Sequence, residues 1–185
     1  MRERFEFDPA HTILGFSAKH LAVTTVRGRF QKFSGWMEGD LNEPRDVSGE
    51  LTAEVASITT GVEMRDDDLR SPNFFDAEQY PTLTFRLTGV EKVDGQTYRL
   101  HGNLTIKEAT RPLTLTATVE GETPNPFGPG RRVGATATGQ LNRMDYGLNW
   151  DGLAGTVPLA GHNIKLEIDA ELVVTPIGAE AATGA

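Results

Sequence analysis

The sequence predicts an all-β protein, an eight-stranded antiparallel barrel with a short helical insertion around residues 61–80. Three observations support this prediction. Apolar and polar side chains alternate along most of the chain, turn-forming residues separate the alternating runs, and one segment with helical spacing interrupts them. A closed barrel has no exposed strand edges and is therefore favoured over a two-layer sandwich, which the pattern alone leaves open.

The alternation is clearest in the second half of the chain. Leu113 and Leu115, for example, alternate with Thr114 and Thr116, and a dry face opposite a wet face is typical of an antiparallel strand. The same pattern covers residues 82–88, 98–106, 113–120 and 164–172 and, less regularly, 14–20, 26–41, 51–57 and 133–141. The dipeptide Asp94–Gly95 is a strong hairpin signal. These runs predict eight or nine strands.

Length and composition limit the classes of protein to consider. The 185 residues predict one domain, over residues 1–175, and a disordered Gly- and Ala-rich tail over residues 176–185. The chain has no cysteine, which excludes disulfides, thiolate catalysis and thiolate-bound metals. The net charge of −8 argues against nucleic acid as a partner.

The start of the chain has no signal-peptide pattern. Residues 1–8 are charged and lack an apolar core, and no apolar run approaches the ~20 residues of a membrane span. The expectation is therefore a soluble cytoplasmic protein, or a periplasmic one if a leader has been trimmed from the chain.

The segment from Ser57 to Phe85 interrupts the β pattern with short helical pieces at residues 64–70 and 76–80. We expect Thr60 to cap the first piece, with Glu63 as its capping-box partner. Aromatic side chains beside a run of charge predict a lid or rim over an apolar cavity. An eight-stranded barrel is about the size that holds one small ligand.

The sequence shows no catalytic constellation, and we predict no catalytic residue, no cofactor and no metal. The histidines lack metal-ligand spacing, and the consecutive acids Asp66, Asp67 and Asp68 are interpreted as a solvated helix face. His20 shares an apolar face with Leu14 and Phe16, which makes it a candidate ligand contact.

The aromatic residues form an unusually large set for a small barrel. They either fill the core or line a ligand cavity, and the sequence leaves both open. The set comprises Phe16, Phe30, Phe33, Phe74, Phe75, Phe85, Tyr146 and Trp150.

Over about residues 7–172 the chain resembles the YceI-like family, also described as lipocalin-like polyisoprenoid-binding proteins. The resemblance rests on many short motifs in a fixed order: Asp8-Pro9-Ala10-His11-Thr12, Phe16 with His20, Arg27-Gly28-Arg29-Phe30, Phe33 with Gly35, Ser57-Ile58-Thr59-Thr60-Gly61, Arg65-Asp66, Leu69-Arg70-Ser71, Phe74-Phe75-Asp76, Tyr80-Pro81, Phe85, residues 102–106, Thr110-Arg111-Pro112, Asn142-Arg143, Asp145 and Gly147. The segment from Asp151 to Asn163 follows the family pattern least well.

The resemblance implies an extended lipocalin-like barrel with an apolar tunnel that holds an isoprenoid chain, and it implies no catalytic residues. The predicted ligand is a polyprenyl phosphate or isoprenoid quinone, bound for storage, transport or exchange. The predicted ligand-binding residues are Phe16, His20, Phe30, Phe74, Phe75, Phe85, Tyr146, Trp150, Arg65 and Arg143. Transient membrane contact and a homodimer are further predicted partnerships.

Several alternatives remain open from the sequence. Arg65, Arg111 and Arg143 are candidates for a phosphate head group. The favoured interpretation is structural, with Arg65 and Asp66 and also Arg143 and Asp145 as ion pairs, and with Arg111 before a proline at the start of a strand. Fatty acids or fatty amides would suit the same tunnel. The rivals from other classes are a lipid-modifying enzyme that uses His20 and a stress-response interaction module whose interior is filled by its own side chains.

Overall fold

A computed structural model describes residues 1–41, 43, 46–150, 152–154 and 156–178. The short helix α1 spans Glu63–Arg70, and single 3-10 turns span Val55–Ser57 and Arg143–Tyr146. The strands are β1 Glu3–Phe7, β2 Ile13–His20, β3 Thr24–Phe30, β4 Phe33–Gly39, β5 Ser48–Glu54, β6 Ile58–Thr59, β7 Thr82–Asp94, β8 Thr97–Ile106, β9 Ala109–Pro124, β10 Arg131–Asn142, β11 Leu153–Ala154, β12 Val157–Pro158 and β13 Ala160–Pro176.

Eight of the strands close into an antiparallel ring, which confirms the predicted barrel. The order is β1-β4-β5-β7-β8-β9-β10-β13, and pairing of β13 with β1 closes the ring. β13 includes Pro176. The predicted tail begins at this residue. The structure describes its residues 176–178, and residues 179–185 lie outside the described part of the chain.

Two positions around the ring are each occupied by two short strands in succession. β13 pairs with β1 over Leu172–Pro176 and with β2 over Ala160–Asp169, so β1 and β2 lie end to end beside it. β3 and β4 likewise follow one another with only Gln31 and Lys32 between them. Residues 26–41, interpreted from sequence as one weak run, therefore form two strands with a break.

The two ends of the barrel have different interiors. The filled half, beside β1 and β4, contains a compact apolar cluster of Phe5, Val133 and Val174, with Met37 and Leu172 packed against it. The open half, beside β2 and β3, has a larger cluster built from both sides of the ring. No helix in the described ranges is long and apolar enough to cross a membrane.

An ion-pair network stabilises the segment between β1 and β2, residues 8–12. Arg132 of β10 donates to Asp8 (2.7 Å) and to Glu171, and His11 is hydrogen-bonded to Asp8 (3.1 Å). The hydrogen bond from Arg132, followed by that from His11, lowers the pKa of Asp8 to about 2. Asp8, His11 and Glu171 also bring potential metal ligands within 4.8 Å of one another. Arg132 already supplies a positive charge there, so the arrangement is that of a structural ion pair.

This network predicts a defined acid sensitivity. Since the folded-state pKa of Asp8 is depressed, its stabilising contribution is present above its ordinary pKa near 4 and is lost as pH falls towards 2. We expect Asp8→Asn to lower the free energy of unfolding by about 2 kcal/mol at pH 7. Urea unfolding of both proteins between pH 7 and pH 2.5 should show this difference shrinking below pH 4. A difference that is independent of pH would contradict the assignment.

Candidate functional site

The open half of the barrel encloses a cavity of about 930 Å³. This volume is at the upper end of the range for small-molecule sites, about 300–1,000 Å³. Inward-facing aliphatic residues from strands all around the ring form most of its wall: Leu14, Val26, Leu51, Leu83, Leu104, Ile106, Leu113, Leu115, Leu141, Ile164, Leu166 and Ile168.

The cavity is long and closed at one end. Its lining on β2 extends from Leu14 to His20, a distance of roughly 20 Å at the rise of a β-strand. On β13 the lining ends at Ile168, and further along the same face Ala170 is buried and Val174 has no exposed surface. At the opposite end, the lining includes the highly exposed Met64. The cavity therefore has its floor at the filled half and its mouth beside α1.

The segment that follows α1 closes part of the mouth. Phe74 is buried, with its ring 5.5 Å from that of Trp150, and Phe75 contacts Phe30 edge-on at 6.1 Å between ring centroids. Lys107, in the β8–β9 turn, donates to the carbonyl of Phe74 at 3.1 Å. Residues 76–80, predicted as a second helical piece, form turns instead.

The cap of α1 differs from the prediction. The helix begins at Glu63 after Val62, and no side chain caps it, so the expected capping box of Thr60 is wrong. Asp66 instead reaches back from the first turn and accepts hydrogen bonds from the Thr60 amide (2.7 Å), the Thr60 hydroxyl and the Thr59 hydroxyl (3.0 Å). The helix is thereby attached to β6 by the side chain of Asp66.

Asp66 was expected to lie on a solvated face, and this is also wrong, since only 5% of it is exposed. Burial opposes ionisation, but the hydrogen bonds from Thr60 and Thr59 outweigh it and lower the pKa of Asp66 below its ordinary value. The carboxylate is therefore a structural anchor, whereas the neighbouring Asp67 is exposed.

The arginines of α1 have different roles. Arg70 donates to the carbonyls of Ala56 (3.0 Å) and Ile58 (2.8 Å), which fastens the helix beside β6. Arg65 lies on the cavity wall, where it donates to the Thr60 hydroxyl (2.7 Å) and carbonyl (3.2 Å). Its hydrogen bonds thus go to Thr60, and the alternative of an ion pair with Asp66 is not observed.

Arg143 is buried and borders the cavity. It donates to the carbonyls of Gly161 (3.1 Å), Ala160 (3.1 Å) and Leu148, and its guanidinium lies 6.0 Å from the centroid of the Phe74 ring. These bonds join the 3-10 turn after β10 to the start of β13. Arg143 therefore holds the rim of the mouth together as well as contributing to its wall.

His20 lies at the exposed rim. Its Nδ1 donates to the carbonyl of Leu159 at 2.8 Å, because a carbonyl oxygen can only accept. Lys19 and Asn73 also contribute to the rim. The polar groups of the site are thus concentrated at its mouth.

Nine of the ten residues predicted as ligand contacts line this cavity. The exception is Tyr146, which is 2% exposed and packs within the core, where burial raises the pKa of its hydroxyl. Arg111, considered for the head group, is exposed and donates to the Thr110 carbonyl. The predicted contacts did not include Lys19, Met64 or most of the aliphatic wall. The inward-facing positions of the alternating strands already contained the signal for that wall.

A closed antiparallel barrel with a deep apolar cavity and a polar mouth is a lipocalin-like architecture. The model of the YceI-like domain matches residues 5–172. The chain therefore belongs to the YceI-like family, as its motifs predicted.

Relatives match over nearly their whole length. A UPF0312 protein of Staphylococcus aureus (strain N315) is 33% identical over 172 residues, which cover 92% of this chain and 98% of that protein. The Campylobacter jejuni YCEI protein superimposes with a TM-score of 0.70 at 28% identity, covering 89% of this chain and 94% of the other.

A more distant solved structure shares the fold. A polyisoprenoid binding domain from Saccharophagus degradans, implicated in plant cell wall breakdown, has a TM-score of 0.65 at 13% identity, covering 92% of this chain and 98% of the other.

Proposed function

We propose that the protein binds a long isoprenoid lipid in its cavity, with the chain inside the barrel and the head group at the mouth, and that it stores or exchanges the lipid without transforming it. The observation that carries this proposal is the form of the site. It is a long apolar cavity with a closed floor, and its charged and polar groups lie at the open end.

The energetics favour exchange over extraction. Burial of one CH₂ group gains about 0.8 kcal/mol relative to water, so a five-carbon isoprene unit gains roughly 3–4 kcal/mol. A bilayer offers the same chain a comparable apolar environment, so the net gain from leaving the membrane is small. The protein would therefore keep a lipid soluble between membranes, and it would contact a membrane transiently at the mouth.

The rim supplies groups for a phosphate or pyrophosphate head. Arg65 uses Nε and Nη2 for Thr60, and within the described part of the chain its Nη1 makes no hydrogen bond. Its planar fork suits phosphate oxygens, and Lys19 offers a second positive charge on the rim. The proposed ligand class is also that of the Saccharophagus degradans domain, described as polyisoprenoid-binding.

The geometry of the site fits some of the alternative functions better than others. An interior filled by its own side chains does not fit, because Phe16, Phe30, Phe75 and Trp150 line open space. Fatty acids or fatty amides suit the same cavity. An enzyme that uses His20 would need an activating partner, and in the described ranges the hydrogen bond of His20 goes to a backbone carbonyl.

The proposal is tested by mass spectrometry of the organic extract from gently purified protein. We expect one prenyl lipid per barrel, or saturable uptake of added octaprenyl phosphate by lipid-free protein. A fatty acid at unit stoichiometry would support the alternative ligand. Absence of both prenyl lipid and octaprenyl uptake would refute the proposal. His20→Gln should retain lipid, and a modified lipid formed by the wild type alone would indicate an enzyme.

A further inference from the structure

We infer that Gly28 sets the width of the cavity. This width lets the cavity hold a methyl-branched prenyl chain, which needs more room than an unbranched acyl chain. The ligand part of this inference rests on the proposed function, whereas the geometry of the wall does not. Gly28 lies on β3 directly opposite Phe16 on β2. Phe16 is part of the cavity wall.

The ring of Phe16 occupies the space that a side chain at position 28 would need. A Cβ atom built on Gly28 would lie 2.4 Å from Cζ and 2.9 Å from Cε1 of Phe16, and 2.9 Å from the methyl group of Thr60. The outer end of the ring therefore lies over the glycine. Because the three nearest atoms all belong to side chains, an added methyl group would displace those side chains before the backbone.

Two further glycines lie against side chains of the cavity wall. A Cβ on Gly102 would lie 2.3 Å from Cζ of Phe85, and one on Gly139 would lie 2.5 Å from Cδ2 of Leu115. Both partners line the cavity. By contrast, Gly121 on β9 has no atom within 4 Å of its Cβ position. Glycines on three strands thus allow wall side chains to lie close to the barrel, which keeps the interior hollow.

The cavity is the space into which the Phe16 ring would swing. The ring packs against Phe30 at 5.9 Å between centroids and also borders the cavity. A displaced ring would narrow the cavity over part of its length. A prenyl chain, which carries a methyl branch on every fourth backbone carbon, would lose more room than a linear chain of equal length.

The test compares Gly28→Ala with the wild type for binding of geranylgeraniol and of hexadecanol. We expect Gly28→Ala to bind geranylgeraniol about tenfold to a hundredfold more weakly and hexadecanol with a smaller loss. Gly121→Ala, which adds the same methyl group to a strand where space is open, should bind both like the wild type.

A double variant identifies the cause. Leucine lacks the Cε and Cζ atoms that the new methyl group would strike, so adding Phe16→Leu to Gly28→Ala should restore geranylgeraniol binding to within a few-fold of Phe16→Leu alone. Wild-type affinity in Gly28→Ala, or no restoration in the double variant, would overturn the inference.

Failure of the proposed function can be distinguished from failure of the role of Gly28. In that case the wild type itself binds no geranylgeraniol. A crystal structure of Gly28→Ala would then show the position of the Phe16 ring without any ligand. A Phe16 ring turned into the cavity would support the role of Gly28 in setting the bore, and a ring unmoved from the wall would refute it.

Discussion

Replacement of Leu166 by tryptophan should abolish lipid uptake and leave the barrel folded. Leu166 lies on the cavity-facing side of β13, within the lined stretch between Ala160 and Ile168. An indole ring at this position would project into open space and obstruct the path of the chain. We expect the affinity for octaprenyl phosphate to fall by at least about a hundredfold. Titration of lipid-free protein measures this loss.

Lys165→Trp provides the matched control, because the neighbouring side chain points outward and is 64% exposed. It should retain wild-type binding. The free energy of unfolding of Leu166→Trp should stay within about 1 kcal/mol of the wild type, since the new side chain enters a cavity and not a packed core. Normal uptake by a folded Leu166→Trp protein would place the lipid outside the barrel.

Asp66→Ala should destabilise the protein by about 3 kcal/mol, because it removes the buried acceptor for three hydrogen bonds from Thr59 and Thr60. The loss of stability should be largest around α1. Because α1 lies beside the mouth of the cavity, bound lipid should also dissociate faster. Urea unfolding and the rate of lipid transfer to vesicles measure the two effects.

The adjacent Asp67→Ala serves as the control for Asp66. Its carboxylate is 68% exposed and pairs with Arg70, so its removal should cost no more than about 0.5 kcal/mol. Equal destabilisation by the two substitutions would contradict the anchoring role of Asp66.

The strands were predictable where one face is dry and the other wet. Leu113 and Leu115 are buried and alternate with exposed threonines, because each strand of the barrel separates the interior from solvent. The cavity wall follows from this same alternation. What the alternation does not indicate is whether the inward residues meet one another or leave space between them.

The remaining features depend on partners that are distant in the sequence. Asp8 stabilises the break between β1 and β2 through Arg132, which is 124 residues away. Asp66 lies in a run of acids that resembles a solvated face, and only its position beside β6 places it in the interior. Tyr146 lies between the motif residues Asp145 and Gly147, yet the turn that carries it directs it into the core. Local pattern contains none of this information.

The lipid chain is expected to lie inside the barrel with its tail at the floor. A polyprenyl phosphate with a diazirine at the end of its chain tests this directly by photo-crosslinking and peptide mapping. We expect labelling of residues near the closed end, Leu14, Leu51 and Ile168. Labelling of outward-facing residues such as Thr84 and Thr105 on β7 and β8, with none at the floor, would contradict it.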